Sequence, residues 1–279
     1  MRKGLIGSMA ALCLAAPVMA AVEPEWEAGV GVAMMSIPDY RGSDEGNTYL
    51  LPIPYFVYNG DWLRVDRSGA HGDLARTQGM VLDLSMNLGP PANSEKNVAR
   101  AGMPDIDPTI EGGPSLKWLW YENDKRDRKL TIQLPARAVL TTGFEYIGWV
   151  FSPHLNMDFL NLGPSGGWNF GVAVGPFYAS EKYHDYYYEV RPEFATASRP
   201  AYDARGGYSG LRTTLALSKR FSQFWVGGFA RYESLNEVVF DDSPLMRKSN
   251  SFMAGIGVSW IFARSAERVV VKPSDVAPQ

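Results

Sequence analysis

Alternation with a period of two dominates the chain. From Met80 to Leu88 the even positions are Met80, Leu82, Leu84, Met86 and Leu88, and the positions between are Val81, Asp83, Ser85 and Asn87. From Leu130 to Leu140 an apolar row (Leu130, Ile132, Leu134, Ala136, Ala138, Leu140) alternates with Thr131, Gln133, Pro135, Arg137 and Val139. Trp149–Phe159 sets Trp149, Phe151, Leu155, Met157 and Phe159 against Ser152, His154, Asn156 and Asp158. Trp168–Tyr178 and Ser251–Phe262 repeat the pattern, the last with Phe252, Ile256, Val258, Trp260 and Phe262 opposite Ser251, Gly255, Gly257 and Ser259. Successive side chains of a strand point to opposite faces, so each run predicts a strand with one bulky apolar face and one small or polar face.

These runs last about eleven residues, where ordinary strands average five or six. At about 3.3 Å per residue and a tilt of about 40°, such a strand rises about 27 Å, the height of the apolar band of an outer-membrane barrel. Trp and Tyr gather at run ends (Trp26, Tyr58, Trp62, Trp120, Tyr121, Trp149, Trp168, Trp260), as aromatic girdles require. A secreted sandwich or lipocalin-like barrel also alternates, but with shorter strands and a polar outward face. The predicted fold is therefore all-β, a transmembrane antiparallel up-and-down barrel.

Twelve strands are predicted, at 25–35, 49–58, 61–67, 79–88, 109–121, 129–141, 147–159, 168–179, 183–190, 207–218, 223–233 and 250–262, with ten as the alternative. The segment 183–190, YHDYYYEV, enters chiefly because an even number is needed. With both termini in the periplasm, Asn59–Asp61, Ser180–Lys182 and Lys219–Ser222 become short periplasmic turns, while the segments from Ser36, Arg191 and Ser234 become long outer loops. One long connection, Gly89–Pro108, falls on the periplasmic side in this scheme.

The first twenty residues read differently. Arg2 and Lys3 precede an apolar run, Leu5–Ala16, and Val18 and Ala20 stand before Ala21 as a cleavage signal does. Residues 1–20 are expected to be a removed secretory signal, 21–262 the barrel and 263–279 a periplasmic tail. The single cysteine, Cys13, lies in the signal, so no disulfide or thiolate metal site is expected. Lys plus Arg is 27 and Asp plus Glu is 30, a balance that gives no reason to expect nucleic acid as a partner.

PDYRGSDE at Pro38–Glu45, LPIPYFVYNGDWLRVDRSG at Leu51–Gly69, ARAGMPDIDPTIEGGPSL at Ala99–Leu116, RPAYDARGGYSG at Arg199–Gly210, SPLMRKS at Ser243–Ser249 and GVSWIF at Gly257–Phe262 resemble the MltA-interacting protein (MipA/OmpV) family of Gram-negative outer membranes. The resemblance covers nearly the whole chain after residue 20, in order. One departure is the tail, since outer-membrane barrels commonly end on an aromatic residue and here 17 residues follow Phe262. The resemblance implies an outer-membrane barrel without catalytic activity, a scaffold that brings a lytic transglycosylase to a murein-synthesising penicillin-binding protein. Other members are described as surface antigens or adhesins, or in connection with solute entry.

Candidate chemistry is sparse. Ser152, His154, Asn156 and Asp158 share a face, but residues two apart on a strand are about 6.5–7 Å apart, too far for direct triad bonds. His71, His154 and His184 lack metal-ligand spacing, and Asp39, Asp44, Glu45, Asp241 and Asp242 read as solvated loop carboxylates. No catalytic residue, metal or cofactor is expected. The expected lumen lining is Asp83, Asn87, Gln133, Arg137, His154, Asn156 and Asp158, of both signs and so without strong ion selectivity. The acidic, proline-bounded MPDIDP segment either closes the periplasmic end or offers Met103, Pro104, Asp105 and Asp107 to a periplasmic partner. The leading expectation is a non-enzymatic scaffold for peptidoglycan enzymes in the outer-membrane bilayer. The alternatives are a small-solute channel or a surface antigen or adhesin.

Overall fold

The computed structural model describes residues 21–60, 63–66, 69–77 and 79–271; residues 1–20, expected to be a secretory signal, and 272–279, the end of the expected tail, lie outside the described residues. The strands are β1 (Ala21–Pro24), β2 (Trp26–Pro38), β3 (Gly46–Asn59), β4 (Leu63–Asp66), β5 (Gly69–Thr77), β6 (Met80–Gly89), β7 (Thr109–Glu122), β8 (Arg128–Thr141), β9 (Tyr146–Phe151), β10 (His154–Leu162) and β11 (Trp168–Ala179). A helix, α1 (Glu181–Tyr188), precedes β12 (Gly207–Arg220), β13 (Phe224–Ser234), β14 (Asn250–Arg264) and β15 (Arg268–Val271).

Thirteen of these strands form one antiparallel sheet, and its pairings return on themselves. Neighbours in sequence pair from β2 to β8. The first half of β8 pairs with β10 and its second half with β9. From β10 the ladder passes through β11, β12, β13 and β14, and β14 pairs with β2 over Ala254–Arg264. β9 and β10 lie end to end and share one place, so thirteen strands occupy twelve positions around the circuit. The break between them falls at Ser152 and Pro153, because proline has no N–H to give an interior ladder.

The circuit has twelve places for a different reason from the expected one. Residues 183–190 are not a strand. The Ser180 hydroxyl accepts from the Tyr183 N–H and starts α1, which buries Tyr183, His184 and Tyr188 at helical spacing. The missing place belongs to β5, GAHGDLART, whose glycines and charges give no apolar row to read. β6 consequently runs toward the same end as β2. The connection 90–108, assigned above to the periplasmic side, lies instead with the other long connections, and so does Ser180–Lys182. Every long connection (39–45, 90–108, 180–206, 235–249) is at one end, and the chain termini and the short turns 123–127, 163–167 and 221–223 are at the other. Short turns are periplasmic in such barrels, so the loop end faces out.

Outward positions are apolar. Val30, Val32, Met34, Leu84, Met86, Leu134, Leu155, Leu215, Ile256 and Val258 are all exposed. Aromatics mark both rims, with Tyr146 and Trp149 toward the loop end and Trp118, Trp120, Tyr121, Trp260 and Phe262 toward the other. β14 sends Phe252, Ile256 and Trp260 outward and buries Ser251 and Ser259 inside. No helix among the described residues is long and apolar enough to cross a membrane. Below the barrel, β1 and β15 form a separate two-stranded ribbon, Ala21 opposite Val271 and Pro24 opposite Arg268. Asn59 holds this ribbon to the rim through its amide, which donates to the Pro24 carbonyl at 2.9 Å.

Candidate functional site, a capped lumen

The long connections fold into one body over the outer mouth. Its core is Tyr40, Ala92, Ile106, Tyr188, Val190, Ala204, Leu235, Val238, Phe240 and Leu245, drawn from four separate loops. Tyr188 and Phe240, both fully buried, stack at 3.8 Å between ring centroids and 13° between planes. A β-bridge between Ala92 and Ile106 closes the 90–108 loop on itself. Arg100, almost fully buried, fastens it by donating to the carbonyls of Tyr187 (3.0 Å) and Pro104 (3.1 Å) and to Ser94 Oγ. Arg199 reaches from the 189–206 segment to the carbonyls of Ala99 and Ala101 at 2.9 and 3.0 Å.

The MPDIDP residues are used within this cap. Met103 packs on its core, Pro104 accepts through its carbonyl, Asp105 accepts from the Ser94 N–H at 2.7 Å, and the Asp107 N–H donates to the Tyr186 hydroxyl at 2.8 Å. They sit at the end of the barrel opposite the termini, so the strand count that pointed to a periplasmic partner no longer does.

One residue locks cap to barrel. Arg41, from the loop after β2, donates to the Glu233 carboxylate on β13 and to the Ser209 hydroxyl (2.7 Å) and carbonyl on β12. The Arg41 carbonyl accepts from the Tyr188 hydroxyl at 2.9 Å, which ties α1 to the same point. Arg212 pairs with the other oxygen of Glu233 at 2.6 Å, and both guanidinium groups lie over the Phe177 ring.

His184 completes a directed chain of bonds. Arg41 donates to Ser209 Oγ, which leaves the serine proton for His184 Nε2 at 3.0 Å, and His184 Nδ1–H then points at the Arg205 carbonyl. The chain needs a neutral imidazole. Burial, with Arg41 nearby, pulls the His184 pKa from its ordinary 6.5 down to about 4. A group depressed in the fold binds more protons when unfolded between those values, so its contribution to cap stability is present above about pH 6.5 and lost as pH falls toward 4. Asp185 acts oppositely, since burial raises its pKa from 3.8 to about 6 and acid relieves that penalty. Comparing wild type with His184→Gln isolates the histidine. Wild type is expected to become more sensitive than the variant to limited proteolysis of the cap between pH 6.5 and 4.5.

Below the cap the inward residues form paired layers. Asp83 is buried and meets Lys117 at 2.6 Å. Arg137 pairs with Glu111 at 3.0 Å and donates to Ser85 Oγ and Ser152 Oγ at 3.0 and 3.2 Å. Asn87, Gln133, Arg137 and His154 line a cavity of about 270 Å³. Asn156 lines a neighbouring cavity and donates to the buried Asp158 at 2.7 Å. The Ser152–His154 contact joins the ring Nδ1 to the serine carbonyl at 2.8 Å, not to its hydroxyl. Ser152 and His154 thus do not make the nucleophile–base bond of a hydrolase. Glu27 stands near the periplasmic rim, where Arg220 (2.5 Å) and Tyr55 (3.1 Å) bond to it.

The sequence reading passed over Arg41, Arg212, Arg231 and Glu233. Arg212, Arg231 and Glu233 occupy the inward rows of β12 and β13, so the same period-two count that found Arg137 reaches them. Arg41 sits in a loop and carries no such signal.

A cyclic antiparallel sheet with an apolar belt, aromatic rims and a polar interior is the construction of an outer-membrane β-barrel. Residues 30–262 match the family described as MltA-interacting protein MipA, and the chain belongs to that family. It is 27% identical over 268 residues to the putative outer membrane protein YiaT of Escherichia coli K12, covering 89% of this chain and 96% of that protein. It is 26% identical over 254 residues to the outer membrane protein OmpV of Vibrio cholerae, covering 86% and 88%. Among solved structures it is similar to an outer membrane channel from Pseudomonas putida F1, with TM-score 0.44, 10% identity and coverage of 89% and 100%. The family and the two outer membrane relatives place the protein in the outer membrane, and the names of these relatives carry no enzymatic activity.

Proposed function

We propose that the protein is a non-enzymatic outer-membrane scaffold that presents its periplasmic face to murein enzymes, a lytic transglycosylase and a penicillin-binding protein. The observation that carries this reading is the cap. A mouth closed by a hydrophobic core and a buried arginine–carboxylate lock is unsuited to continuous solute flow, so contact with other proteins falls to the surfaces. The name of the family supports a transglycosylase as partner. At the periplasmic rim, the β1–β15 ribbon, separate from the barrel sheet, gives the protein an element for contact.

The test is capture of a purified transglycosylase and a penicillin-binding protein on the immobilised barrel, with planar-bilayer conductance measured in parallel. Both enzymes are expected to be retained while the wild-type bilayer stays silent. Deleting 265–279 is expected to leave heat-modifiable migration intact and to lower retention several-fold. Failure to retain either enzyme, together with steady conductance, would replace the scaffold by the small-solute channel.

A further inference from the structure

Three cavities meet inside the barrel beneath the cap. The first, about 270 Å³, is lined by Lys117, Arg137, His154, Thr214, Arg212 and Arg231 among others. The second, about 230 Å³, lies directly under the cap and is also lined by Arg212 and Arg231. The third, about 430 Å³, is mostly apolar, with Met35, Ile53, Ala216, Trp225, Phe229 and Gly257 in its wall. Ala173 and Thr214 belong to both the first and the third, and Met35 and Phe229 to both the second and the third. The three are neighbouring parts of one interior; Arg231 lines the first two, and Thr214, to which it bonds, lines the third.

The charges there do not balance. Among the described residues Lys117, Arg137, Arg212, Arg231 and Arg41 face Asp39, Asp83, Glu111 and Glu233, five cations against four carboxylates, and Asp39 is taken by the side-chain amides of Asn47 and Asn97. Asp83 goes to Lys117, Glu111 to Arg137, and Glu233 is divided between Arg41 and Arg212. Among the described residues Arg231 makes no direct ion pair with any of them, and Glu233 and Glu111 act on it only from a distance. Its one hydrogen bond among the described residues runs from Nε to the Thr214 hydroxyl at 3.2 Å, which leaves the terminal N–H groups of the guanidinium for the cavities. An enclosed guanidinium without a carboxylate is costly unless an anion completes it, and its planar fork suits a carboxylate. Beside this head-group site lies apolar space of the size that ligand pockets use.

We propose that the lumen is a binding site for an amphiphilic monocarboxylate, the carboxylate on Arg231 with support from Arg212, and the apolar body in the cavity walled by Phe229, Ile53 and Met35. This goes beyond the scaffold reading and is independent of it, because the site is interior and the enzymes are proposed to dock at the rim.

Octanoate, titrated calorimetrically into the full barrel in dodecyl maltoside below its own micelle-forming concentration, is the probe. Saturable binding at one site per barrel is expected, with octanol much weaker and acetate a poor competitor. Arg231→Gln is expected to weaken octanoate by about tenfold or more, the loss that follows removal of a charge-assisted bond. Ala173→Phe, which fills the junction of the polar and apolar cavities, is expected to abolish it, with heat-modifiable migration confirming that both variants fold. Any one of four results overturns the proposal. They are no saturable binding by wild type, undiminished binding by folded Arg231→Gln, octanol binding as tightly as octanoate, and acetate competing as well as octanoate does. The comparison of octanoate, octanol and acetate on wild type decides the matter even if a variant does not fold.

Discussion

Glu233→Gln is expected to open the barrel. The carboxylate is 2% exposed and holds two guanidinium groups, Arg41 from the cap and Arg212 from β12. Glutamine keeps the shape but removes the charge, and its amide nitrogen would face a cation. Breaking a buried pair by removing one partner costs about 3–5 kcal/mol, because the remaining charge is left uncompensated. Two cations share this one anion, so the cost falls on the docking of cap to barrel. Arg41 also holds Ser209 and, through its carbonyl, Tyr188, so its release frees both the loop after β2 and α1. Three kcal/mol is a factor of more than about one hundred in the ratio of closed to open mouths. The variant should give channel openings in planar bilayers where wild type is silent, and protease should cut it in the 189–206 segment. Strands β2 to β14 do not depend on this contact, so heat-modifiable migration should persist. A silent, protease-resistant variant would show that the lock is not what holds the cap.

That lock could not be read from the chain, and the reason is separation. Arg41 and Glu233 are 192 residues apart, and Tyr188 is 147 from Arg41. Nothing local in PDYRGSDE marks Arg41 as buried. The barrel itself was legible where alternation is strong, as in 130–140, 149–159, 168–178 and 251–262, because a lipid-facing row and a lumen-facing row impose opposite chemistry on adjacent residues. It failed at two places that happened to compensate. β5 has too few apolar residues to show a row, and the tyrosines of 183–188 fit a strand by propensity although Ser180 caps a helix. The total survived the exchange, but the direction of every strand between them was inverted, and with it the side of 90–108. Parity carries the sense of the chain only when each strand is right. On the inward rows Asp83, Arg137 and Asp158 are half or fully buried, and their partners Lys117, Glu111 and Asn156 come mostly from neighbouring strands, which a single-strand count does not show.

The closing seam is the place where one added side chain should matter most. β14 and β2 join the last and first strands of the circuit, with Gly31 opposite Ser259 and Gly29 opposite Ile261. A Cβ on Gly31 would overlap the Val258 carbonyl oxygen and the Ser259 hydroxyl and crowd the Ser259 Cα. The hydroxyl can rotate away; the carbonyl is a ladder acceptor and cannot. Gly31→Val therefore forces the two strands apart at the middle of their pairing. In water an opened edge would be hydrated, but in hydrocarbon each unsatisfied backbone group costs several kcal/mol, so a barrel with an open seam has no stable membrane state. The expected result is an all-or-none loss of the heat-modifiable form and degradation in the periplasm. Gly112→Ala supplies the contrast, since a Cβ there meets nothing within 4 Å. That substitution is expected to assemble normally even though Gly112 is also paired on both sides, to Met86 and Ala138. If Gly31→Val assembles as well as Gly112→Ala, the strands have room at the seam, and the small residues of β2 serve the lumen and not the closure.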